Sequence, residues 1–216
     1  MAIAPEKSID YYSIIIDESG SMFDHTKDTL GSLKQFHASQ KDVSHAGSKF
    51  IVNTFNNKVE TRFNGTIGSE LVFNYRPEGS TALYDAIGQT ITNTLNYLAK
   101  AETKPKDVYM IILTDGEENS SRSYAKDTIK QMIETQKAAD WKFIFLAANQ
   151  DALFSGGNIG IEKGACLSYA QNKNATPNAL RCVSEGIKRQ KAYSKMASES
   201  CQVAFTEFER MDANTN

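Results

Sequence analysis

Two apolar runs of strand length constrain this chain more than any other feature: Asp10-Tyr-Tyr-Ser-Ile-Ile-Ile-Asp17 and Asp107-Val-Tyr-Met-Ile-Ile-Leu113. Neither alternates with polar residues, so each reads as a strand covered on both faces, as central parallel strands are. Each run stops at a polar, acid-bearing loop, Asp17-Glu-Ser-Gly-Ser-Met-Phe-Asp24 in the first case and Thr114-Asp-Gly-Glu-Glu-Asn119 in the second. Strands of this kind need covering layers, and the intervening segments supply them. Leu30, Leu33 and Phe36 fall at helical spacing within 26–44, and Ile129, Met132 and Ile133 do so within 122–139. Leu83, Ile87, Ile91, Leu95 and Leu98 share one face of a helix opened by Gly79-Ser-Thr.

The remaining strands are shorter or more exposed. Lys49–Phe55 and Trp141–Ala147 read as further inner strands, and Ala165–Tyr169 as a weaker sixth. Lys58–Phe63 alternates, and the Asn56-Asn57 turn joins it to Lys49–Phe55 as an antiparallel edge hairpin. Strands alternating with helices predict an α/β three-layer sandwich. Its central sheet is mostly parallel, with about six strands, one antiparallel edge and helices on both faces. Right-handed crossovers then place the loops after Asp17 and Thr114 on one carboxyl edge, adjacent if the first and fourth strands adjoin where the strand order reverses. We expect one domain over 8–170 and a helical extension over 171–216, read as one long helix or two across 178–211, packed on the same domain.

Composition narrows the function classes. With 24 basic against 26 acidic residues the formal charge is −2, which gives no global pull toward nucleic acid or an anionic membrane. No apolar stretch approaches the roughly 18 residues of a membrane helix. The start, Met-Ala-Ile-Ala-Pro-Glu-Lys, lacks the pattern of a signal peptide, so a cytoplasmic location is expected. Three cysteines, Cys166, Cys182 and Cys201, form no CxxC and no even set, which argues against a disulfide framework.

The predicted rim collects Asp17, Ser19, Ser21, Thr81 and Asp115, all oxygen donors. In Asp-x-Ser-x-Ser, alternate side chains face one way and can converge on a point. Two carboxylates and three hydroxyls, with no cysteine or histidine pair, suit Mg²⁺, with Ca²⁺ or Mn²⁺ also possible, and disfavour Zn²⁺. Hydroxyl ligands add no charge, so the ion stays electrophilic toward an outside anion.

At these residues the chain resembles the von Willebrand factor A (vWA) domain family. Asp17-Glu-Ser19-Gly-Ser21 is similar to its DxSxS element, Thr81 in Gly-Ser-Thr-Ala-Leu-Tyr-Asp to its second-loop threonine, and Asp115 in Thr-Asp-Gly to its third-loop aspartate. The resemblance covers about residues 10–170. It implies a Rossmann-like sheet and an intact metal-ion-dependent adhesion site, in which Ser19, Ser21 and Thr81 contact the metal and Asp17 and Asp115 act directly or through water. It also implies a partner Asp or Glu that completes the coordination shell. The loop Ala-Asn-Gln-Asp-Ala at 148–152 and the length resemble small intracellular members from bacteria and their phages.

A metal-dependent protein-binding module is therefore expected, with Glu18, Met22, Phe23, Ser80, Glu117, Asn149 and Gln150 on the partner-binding rim. Met22 and Phe23 could equally pack under the loop, and Glu117 and Glu118 could be a solvated loop before a helix. Two other readings share the rim. One is a metal-dependent phosphoryl-transfer enzyme with Asp17 as nucleophile, which lacks the second acid two residues on because Ser19 stands there. The other is a scaffold that self-associates through the same site.

Overall fold

The computed structural model describes residues 7–148, 152–170 and 175–214. Its elements run β1 (Tyr11–Asp17), α1 (Thr26–Ser39), β2 (Lys49–Phe55), β3 (Val59–Thr66), α2 (Leu83–Lys100), β4 (Val108–Thr114), α3 (Lys126–Ala138), β5 (Lys142–Ala148), α4 (Ala152–Asn158), β6 (Cys166–Tyr169), α5 (Ala175–Ala197) and α6 (Glu207–Asp212). The six strands form one sheet in the order β3-β2-β1-β4-β5-β6. All neighbours are parallel except β2 and β3, which pair antiparallel at one edge. The sheet order reverses between β1 and β4, whose registers place Ile14 beside Ile111. The mostly parallel six-stranded sheet with one antiparallel edge is the architecture expected from the sequence.

Strand alternation divides the core in two. Tyr12, Ile14 and Ile16 face a layer containing Leu33 and Phe36 of α1 and Leu180, Val183 and Ile187 of α5. Tyr11 and Ile15 face Ile87 and Ile91 of α2 and Ile129 and Ile133 of α3. Every residue of β1, β4 and β5 is buried, because each strand has a helical layer on both sides. Each such Ile or Leu contributes roughly 1.5–3 kcal/mol by leaving water.

Four helices differ in their bounds from the sequence reading, among them α3, expected over 122–139 and found over Lys126–Ala138. The first helix ends at Ser39 and continues only as a 3₁₀ turn, Gln40–Asp42. The second begins at Leu83, not Gly79, because Ala82 N donates to Asn56 O and Gly79 sits at φ +79°. Leu95 on that helix is exposed. In the C-terminal stretch, Ser198 adopts a left-handed φ of 54° and stops α5. The chain then runs unwound, burying Val203 and Phe205, and restarts as α6 through a capping box between Thr206 and Glu209.

That last segment shields the edge strand β6. Arg210 Nη1 donates to Cys166 O at 2.7 Å and Asn214 Nδ2 to Ser168 O at 3.1 Å. Side chains thereby satisfy carbonyls that an open edge would offer to another strand. No helix among the described residues is long and apolar enough to cross a membrane.

Candidate metal centre

The loops that follow β1 and β4 meet at the carboxyl edge because those strands adjoin at the point of reversal. Asp17 closes β1 with its side chain 0% exposed. Its Oδ1 accepts from Ser19 N at 2.8 Å and its Oδ2 from Thr114 Oγ1 at 2.6 Å. Ser19 Oγ lies 3.0 Å from Ser21 Oγ, and Ser21 Oγ donates to Asp115 Oδ1 at 2.6 Å. A Cβ built on Gly116 would stand 2.8 Å from Thr81 Oγ1 and 3.6 Å from Asp17 Oδ2, so a side chain there would crowd both donors. Four of the five oxygen-bearing residues are thus linked by hydrogen bonds or a shared partner, and Thr81 borders the same space.

Burial pushes the Asp17 carboxyl up to about 6, assisted by the negative charge of Asp115 and opposed by hydrogen bonds from Ser19 and Thr114. Asp17 forms no ion pair among the described residues. The phenols of Tyr75 and Tyr169 are pushed above their usual range by burial and then by the charges of Asp17 and Asp115. Low dielectric and unneutralised charge coincide at Asp17, which favours a bound cation.

The donor chemistry fits a hard divalent ion. Among the described residues no group of three or more His, Cys, Asp and Glu could hold a metal, and this set differs in mixing three hydroxyls with two carboxylates. Asp17, Ser19, Ser21, Thr81 and Asp115 would hold it.

Of the expected rim residues, Phe23 is 70% exposed, Glu117 is exposed and Ser80 is half-buried, with its N–H donating to Asn57 Oδ1. Glu18 and Met22 are corrections. Met22 is fully buried against the core that faces α1. Glu18 is 2% exposed: its carboxylate accepts from Arg62 Nη2 at 2.8 Å and Arg76 N at 2.6 Å, and its backbone bonds Phe55 and Glu78. It pins the first loop to β2, β3 and the segment before α2, and cannot reach a partner. Asn149 and Gln150 lie outside the described residues. Glu118 also belongs to the scaffold, accepting from Tyr84 N, Ser120 N, Ser121 N and Ser121 Oγ.

Three positioning residues escaped the sequence reading. Asn119 brackets Thr81, its Oδ1 accepting from Thr81 N at 2.9 Å and its N–H donating to Thr81 O. The buried Tyr75 hydroxyl donates to Asp17 O. Gly79 combines positive φ with a Cβ position only 2.3 Å from Asn57 Oδ1, and its carbonyl accepts from Gly20 N, joining the first loop to the second. Asn119, beside the Thr-Asp-Gly element, and Gly79, in the Gly-Ser-Thr element, carried local signals; Tyr75 carried none.

The fold is that of a von Willebrand factor type A domain. The structures that share it include proximal thread matrix protein 1 from the mussel byssus, 19% identical over 86% of this chain and 48% of that one, with a TM-score of 0.63. A second is the von Willebrand factor type A protein from Catenulispora acidiphila, 18% identical over 83% of this chain and 42% of that one, TM-score 0.54. A third is the vWF domain of the type V pili tip protein Mfa5 from Porphyromonas gingivalis, 9% identical over 86% and 97%, TM-score 0.61. The mussel protein is also known with a zinc-occupied MIDAS motif. This chain spans about half the length of the first two. No family model matches the sequence, and no curated protein does.

Proposed function

We propose that this chain is a metal-dependent protein-binding module whose carboxyl-edge site holds Mg²⁺ and grips an Asp or Glu of a partner. The observation that carries the reading is Asp17: a fully buried carboxylate with no ion pair among the described residues, accepting from the Ser19 N–H and the Thr114 hydroxyl. An ion bound there supplies an electrophilic open position for a carboxylate. The residues of the chain hold its ligands in place, with Asn119 fixing Thr81, Glu18 fixing the first loop, and Tyr75 the end of β1. Phe23 stands exposed beside Ser21 as an apolar contact. None of the three cysteines is in a disulfide, which suits a reducing compartment such as the cytoplasm.

Phosphoryl transfer is disfavoured by the same geometry. A nucleophilic Asp17 would need an exposed oxygen, and both of its oxygens are buried and already accept hydrogen bonds.

Calorimetric titration of Mg²⁺ into wild type and Asp17→Ala, with circular dichroism on both, tests the proposal. Saturable binding to wild type alone is expected. Equal binding to both, or absent binding at millimolar Mg²⁺ with an intact fold, overturns it.

A further inference from the structure

Beside the metal donors lies a cavity of about 270 Å³, formed where the loop after β4 meets the start of α2 and helix α4. Gly116 is its junction with the metal centre: it lines the cavity and stands against Thr81 Oγ1. Leu83, Tyr84, Phe154 and Ile159 give the cavity apolar walls, and Phe154 is 66% exposed at its mouth. Two carboxylates, Glu117 and Glu118, complete the lining, which contains no Lys, Arg or His. Glu118 is committed to backbone N–H groups and the Ser121 hydroxyl. Glu117 is exposed and has neither hydrogen bond nor ion pair among the described residues.

We propose that this cavity takes a Lys or Arg side chain of the partner, placed close in sequence to the carboxylate on the metal. The inference rests on the metal-binding reading above and specifies its partner. An aliphatic stem suits the Leu83, Tyr84 and Ile159 walls, and a cationic head suits Glu117 and the aromatic faces at the mouth. An acidic side chain would meet two carboxylates, and a purely apolar one would leave Glu117 without a partner at the interface. Because Gly116 belongs to both sites, the acid and the base of the partner lie close together in its sequence.

The test is selection of a random-peptide library on the full chain in Mg²⁺ and, separately, in EDTA, with winning peptides resynthesised for affinity measurement. Expected are Mg²⁺-dependent peptides carrying Asp or Glu with a nearby Lys or Arg. Replacing that base by Leu should weaken binding to wild type about three- to fivefold, as for a partly exposed charge pair, and leave binding to Glu117→Gln unchanged. Glu117→Lys should reverse the charge preference while its thermal melt matches wild type, with peptide binding measured at saturating Mg²⁺. Mg²⁺-dependent acidic peptides without a basic neighbour would overturn the cavity proposal and leave the metal reading standing. Basic peptides that bind equally in EDTA would support the cavity and overturn the metal reading. No enrichment in either condition overturns both.

Discussion

Strand β1 has a buried aspartate at each end, and the two are treated in opposite ways. Asp10, just before the strand, is 0% exposed and meets Lys191 Nζ at 2.6 Å, Ser44 Oγ at 2.6 Å and Ser8 Oγ at 2.9 Å. Lys191 also lies 3.8 Å from Asp107, which meets the buried Lys142 at 3.4 Å. At this amino edge, α5 reaches across the sheet to supply the counter-charge. At the carboxyl edge Asp17 is equally buried and receives hydroxyl and N–H donors but, among the described residues, no cation. The amino edge is a finished electrostatic structure that ties the C-terminal segment to the sheet. On the proposed reading, the carboxyl edge is completed by a metal ion from outside.

The largest effect should come from breaking the finished end. Lys191→Met leaves Asp10 buried without its ion-pair partner and is expected to cost about 3–5 kcal/mol in denaturant unfolding, with partial recovery on adding Asp10→Asn. At the other end the sign should invert. Asp17→Asn removes an uncompensated charge, so the metal-free variant should be more stable than wild type at pH 7, by up to about 3 kcal/mol. The same variant should lose the stabilisation that Mg²⁺ gives wild type, about 2.7 kcal/mol at a hundredfold excess over Kd. If Asp17→Asn destabilises the metal-free protein, the contrast between the two ends is wrong.

Titration sharpens the contrast further. The folded Asp17 carboxyl sits near 6, above its unfolded value of 3.8, so the native state binds more protons between these limits. Its contribution to metal-free stability is therefore complete below pH 3.8 and is lost as pH rises through 6, with a slope of at most about 1.4 kcal/mol per pH unit. Mg²⁺ competes with that proton, so Mg²⁺ affinity should fall up to about tenfold per unit below pH 6. Thermal melts across pH with Mg²⁺ or with EDTA measure both trends, and Asp17→Asn should flatten them.

The smallest effect concerns positioning. Asn119→Ala removes the Oδ1 acceptor of the Thr81 N–H, leaves the backbone N–H that donates to Thr81 O, and should lower stability by about 1 kcal/mol. Mg²⁺ affinity should fall several-fold with no change in its pH profile, because Asn119 acts only through Thr81.

Much of this was legible in the sequence because both relevant signals are local. Unbroken apolar runs report strands covered on two sides, and β1 and β4 are buried at every position. The five candidate ligands are marked by their place at strand ends and in short polar motifs. Glu18 was misread, and Met22 left open between rim and core, because exposure is not local: the nearby Ser21 and Phe23 are exposed while these two turn inward, one to Arg62 and one to the core. The break at Ser198 was equally hidden, since an apolar helical pattern does not record where the chain must leave the helix to bury Val203 and Phe205.

By itself, then, the sequence determined the alternating layers and the types of donor atom on the rim, because periodicity and loop chemistry act over a few residues; that β1 and β4 adjoin at the reversal was left to the fold. Tertiary structure alone decided which charges are neutralised. Lys191 is 181 residues from Asp10 in the chain, and only the docking of α5 against the sheet brings them together. Among the described residues no comparable partner reaches Asp17, where the strand reversal that assembles its loops also opens the crevice above them.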